Sequence, residues 1–123
     1  MIPETPTLNQ AARPAAQAEA MLTETRRRLT VPQTSRDYFG LAGVFRGWTL
    51  ELATYLPEGE LAATLLRHLM QAHAALLALG RVTTWPVEPV AADTLAFLRA
   101  RLDGSLAQAA ELAGRWERSD RRG

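Results

Sequence analysis

Residues 38–56 read YFGLAGVFRGWTLELATYL, and this stretch decides the fold. Tyr38, Leu41, Phe45, Trp48, Leu52 and Tyr55 recur at alternating steps of three and four, a spacing that lines side chains along one stripe of an α-helix. Ala42, Thr49 and Leu56 widen that stripe enough to face the core of a bundle. The same stretch carries Gly40, Gly43 and Gly47. Each costs about 0.5 to 1 kcal/mol relative to alanine in a helix interior, and all three fall on the side away from the stripe.

Outward from this helix, the flanks show the same period. Thr34 or Ser35 is placed to cap its start, with Asp37 in the first turn where the helix dipole favours a carboxylate. Before it, a helix opens at Pro14 and runs to about Leu29, with Ala15, Ala18, Leu22, Thr25 and Leu29 on one face, and Val31-Pro32 stops it. After it, the short turn LPEGEL makes the next helix an antiparallel neighbour. That third helix is expected over Glu58 to Leu79, with Ala62, Leu65, Leu69, Ala72, Leu76 and Leu79 inward and Gly80 as its C-terminal stop. Leu61, Leu66, Met70 and Leu77 make it apolar nearly all round. The connection RVTTWPVEP leads to a fourth helix opened by Pro89, where Leu95, Leu98, Leu102, Ser105, Ala109, Leu112 and Trp116 keep one phase. Asp103-Gly104 suggests a turn, and Ser105 with Gln108 would cap a fifth helix. The apolar phase nevertheless passes through Gly104 unbroken, which favours one long helix. The expected fold is all-α: an antiparallel four-helix bundle over residues 14–123, preceded by a loose, proline-bearing N-terminal arm over 1–13.

The 123 residues are enough for one domain with its own core, without metals or disulfides. The absence of cysteine excludes disulfides, cysteine nucleophiles and thiolate metal sites. No basic segment followed by an apolar run opens the chain, and Arg46 and Glu51 interrupt its most apolar segment. These features point to a soluble, cytoplasmic protein that does not enter a membrane. The formal net charge of +1 gives no global attraction to nucleic acid. All fourteen basic residues are arginine, a bias that fits a GC-rich coding sequence better than a demand for guanidinium chemistry.

Nothing in the chain has the form of an active site. His68 and His73, the two histidines, are five apart and so sit roughly 140° apart around a helix, the wrong spacing for a shared metal. No serine occupies a strand-turn-helix elbow, and no lysine is present to complete a phosphate loop. No catalytic, cofactor or metal site is expected, and the protein is read as non-enzymatic.

Two surfaces remain. Gly43-x-x-x-Gly47 has the form that lets a second backbone approach closely, and Phe39, Val44 and Leu50 flank the strip formed with Gly40. Either the second helix is buried on both sides within its own bundle, or the strip is a contact surface for another copy or another protein. Trp85, between Thr84 and Pro86, joins it as a candidate anchor. The other surface is the run Arg26-Arg27-Arg28, with Arg101, Arg115 and Arg122 sharing a face of the fourth helix. It is a candidate phosphate-binding patch, although Glu24 and Glu111 sit at intervals that neutralise part of it. The leading expectation is a small adaptor or accessory protein acting through self-association, as a dimer, or through a protein partner. Arginine-based nucleic-acid binding is the alternative.

Overall fold

The computed structural model describes residues 14–56, 58–84 and 90–122, with the side chains of 90, 91 and 117–122 outside that description. It contains four helices: α1 (Pro14–Arg28), α2 (Ser35–Tyr55), α3 (Glu60–Thr84) and α4 (Val90–Arg122). They pack antiparallel as a ring, in which α1 touches α2 and α4, and α3 touches α2 and α4. The diagonal pairs do not meet. Each helix therefore keeps an outer face turned away from the bundle, as four-helix packing requires. The arm over 1–13 lies outside the described residues.

The periodic positions meet in one core. Ala18 and Leu22 of α1, Leu41, Phe45, Trp48 and Leu52 of α2, Leu65, Leu69, Leu76 and Leu79 of α3, and Leu102, Ala109 and Leu112 of α4 form a single buried cluster. Leu106, outside the expected α4 stripe, joins it, while Leu95, Leu98, Ser105 and Trp116 of that stripe are only partly buried. Tyr55 is the exception in the α2 stripe, 38% exposed at the helix end.

Local chemistry fixes the ends. Thr34 Oγ1 accepts from the Asp37 backbone N–H at 3.1 Å, while the Thr34 N–H donates to Asp37 Oδ2 at 2.9 Å, so a capping box starts α2. At the end of α1 the exposed carbonyls find partners beyond the helix. Thr30 Oγ1 donates to Arg27 O at 2.7 Å, Gln33 Nε2 to Arg28 O at 2.8 Å, and Arg99 Nη2, from α4, to Leu29 O at 2.9 Å. Gly59 adopts a φ of 153° in the turn before α3, a conformation open to glycine and strained for side-chain-bearing residues.

Two expectations about α3 are corrected. It begins at Glu60 instead of Glu58, and Gly80 does not stop it: the helix continues to Thr84. Thr83 Oγ1 and Thr84 Oγ1 donate back to the carbonyls of Leu79 and Gly80 at 2.7 and 2.8 Å, so both hydroxyls are bonded within the helix. Gly80 is buried, and a Cβ placed on it would lie 2.9 Å from Phe39 Cε1. The glycine is a seat for an aromatic ring from α2. In α4 the helix is continuous through Asp103-Gly104, so Ser105 lies mid-helix and caps nothing.

Candidate interaction surface

The outer face of α2 holds the glycines in the open. Gly40, Gly43 and Gly47 are all exposed, and a Cβ added at any of them would meet no atom of the described residues within 4 Å. This excludes the reading in which α2 is the bundle's central helix with its glycines packed inside. The flanking apolar residues are present but unequal. Leu50 stands 55% exposed. Val44 is half-buried and leans on the core. Phe39 is 39% exposed, because part of its ring rests on Gly80.

Beside the N-terminal half of this face runs an open groove of about 910 Å³. Gly40 and Gly43 line it, together with Phe39, Val44 and the α1–α2 connection around Val31. Arg27, Arg28 and Arg36 supply its positive charge, with Asp37 close by. Asp37 is committed to the α2 cap: the hydrogen bond from the Thr34 backbone, above all, holds its carboxyl below the usual carboxylate range. Arg36 on this face forms no ion pair among the described residues, and neither does the half-buried Glu51 further along α2.

The arginine run is largely engaged within its own helix. Glu24 accepts from both Arg27 and Arg28, with Arg28 Nε 3.1 Å from Glu24 Oε1. These bonds, the one from Arg27 first, lower the Glu24 carboxyl from 4.5 to about 2. The Arg28 guanidinium also lies 5.7 Å from the centre of the buried Trp48 ring, a cation–π distance that ties it to α2. Arg26 is exposed on the side toward Arg99 of α4. Arg101 sits over the exposed Phe97 ring at 5.9 Å, and Arg115 Nη2 pairs with Glu111 at 3.3 Å. The structure thus does not gather Arg26, Arg27, Arg28, Arg101 and Arg115 into one patch of free cations. The side chain of Arg122 and all of Trp85 lie outside the described residues.

The histidines also stay apart. His68 Nδ1 is 3.3 Å from Gln71 Oε1, and His73 is half-buried. Burial first, and then the charge of Arg46, lowers the His73 pKa from its ordinary value. Among the described residues no group of three His, Asp or Glu side chains could hold a metal ion, and no helix is long and apolar enough to cross a membrane.

Sequence reasoning did not single out three features. Gly80 as a seat for Phe39 has no one-dimensional signature, because the contact joins residues 41 apart on antiparallel helices. Met70 on the outer face of α3 and Phe97 on α4 are strongly exposed. The apolar breadth read for α3 already included Met70. Comparison with known proteins adds no relative: no family model matches the chain, and no curated protein or solved structure matches it.

Proposed function

We propose that this protein works without catalysis, as a small adaptor or accessory protein whose α2 outer face binds another copy of itself. One observation carries the reading: Gly40, Gly43 and Gly47 stand exposed, with no atom of the described residues within 4 Å of where a side chain would begin. They therefore weaken the helix without serving the packing of their own bundle. A second backbone laid along the strip gives that cost a purpose, and it covers Leu50 and the open edge of Phe39 at the same time. The arginine-based reading has less support, since Glu24, Glu111, Trp48 and Phe97 occupy the guanidinium groups it would need.

The test is the oligomeric state. Light scattering on the unmodified protein should give a dimer mass at tens of micromolar. Gly43→Leu and Gly47→Leu should each give a monomer of unchanged helicity, because leucine favours helix but blocks close approach. A monomeric unmodified protein at high concentration would overturn the proposal.

A further inference from the structure

The face that carries the glycines is not symmetric along its length, and its two halves differ in a complementary way. The N-terminal half is hollow: Gly40 and Gly43, with open space where their side chains would begin, line the open groove together with Phe39, Val44 and Val31. The C-terminal half projects, through Leu50 at 55% exposure. The charges divide in the same way. Arg36 lines the hollow half and Glu51 adjoins the projection, and neither has an ion-pair partner among the described residues.

Resting on the self-association reading above, we infer that two copies pair their α2 helices antiparallel about a two-fold axis between Gly43 and Gly47, each inserting Leu50 into the other's Gly40–Gly43 hollow. The spacing of Gly40, Gly43, Gly47 and Leu50 is three, four, three, which reads the same in both directions. Reversal therefore sets Gly43 against the partner's Gly47, and Leu50 against the partner's Gly40. The projection and the hollow are about 15 Å apart on one helix, so neither fills the other within a copy. Reversal also brings the partner's Glu51 level with Phe39, within one helical turn of Arg36, twice by symmetry. A parallel pair does the opposite. It stacks Leu50 on Leu50, leaves both hollows empty, and sets Arg36 against Arg36 and Glu51 against Glu51. Shape and charge, observed independently, select the same orientation.

The cysteine-free chain allows a direct test. Gly40→Cys and Leu50→Cys copies, distinguished by mass, are mixed in equal amounts at high concentration and oxidised gently. The expected product is the mixed disulfide, several-fold over either self-linked dimer. A second experiment uses charge: Arg36→Glu and Glu51→Arg should each weaken dimerisation several-fold, and the double variant should recover it. Arg36 is exposed and Glu51 half-buried, and neither belongs to the buried core, so circular dichroism should show the fold retained. If Gly40→Cys copies link to one another, or the double charge variant stays as weak as the singles while the unmodified protein is a dimer, this geometry is wrong and self-association stands. A monomeric unmodified protein overturns both.

Discussion

At the residue scale, glycine means two different things in this chain, and substitution separates them. Gly43 has open space where a Cβ would go, so Gly43→Ala should stabilise the monomer by about 0.5 to 1 kcal/mol through helix propensity alone. Gly80 lies under the Phe39 ring, so Gly80→Val should destabilise by about 1 to 3 kcal/mol through overpacking. Thermal unfolding in dilute solution should show the two midpoints moving in opposite directions. Ionisation gives a second test at this scale. Glu24 is bound by Arg27 and Arg28 in the folded chain, and its pKa falls from 4.5 to about 2. Its contribution is therefore fully present above pH 4.5 and is lost as pH falls through about 2. Glu24→Gln should be less stable than the parent at neutral pH, with the gap closing in acid. The effect will be small, since the pair is partly exposed. His73 works in the same direction. Its folded pKa lies below the ordinary 6.5, so its neutral form is the one folding favours, and stability should decline as pH drops below that value.

At the element scale, α2 shows why so much of the fold is legible in the sequence. Its stripe has the helical period, and Phe45, at the centre of that stripe, is fully buried. Phe45→Ala should cost about 3 to 5 kcal/mol, measured by denaturant unfolding. The periodic core positions of α1 and α3, and the continuity of α4 through Gly104, follow from the same rule, because a one-dimensional period reports which face is inside. The end of α3 does not follow from it. Gly80 resembles a stop signal only when Phe39 is left out, and Thr83 and Thr84 resemble loop residues only when their bonds to Leu79 and Gly80 are left out. The candidate surface divides along the same line. Periodicity places Gly40, Gly43 and Gly47 opposite the core stripe, but whether that side faces solvent or a fourth neighbour depends on how the helices are arranged. The ring packing decides between the helices, since among the described residues α2 touches only α1 and α3.

At the scale of the whole molecule, the packing between α2 and α3 and between α3 and α4 joins consecutive helices, whereas the ring is completed by α1 against α4. The Arg99 guanidinium reaching the Leu29 carbonyl joins residues 70 apart in the chain. Arg99→Leu should leave the other three helices protected in hydrogen–deuterium exchange while α1 amides exchange faster; uniform loss of protection would show one indivisible unit. Loop-closure entropy gives this seam a kinetic meaning. The neighbouring pairs form cheaply and early, while the α1–α4 closure spans most of the sequence and comes late. Until that closure the apolar faces with which α1 and α4 will meet stay uncovered. During synthesis and refolding, the interval before the seam closes is therefore when this chain is most exposed to aggregation.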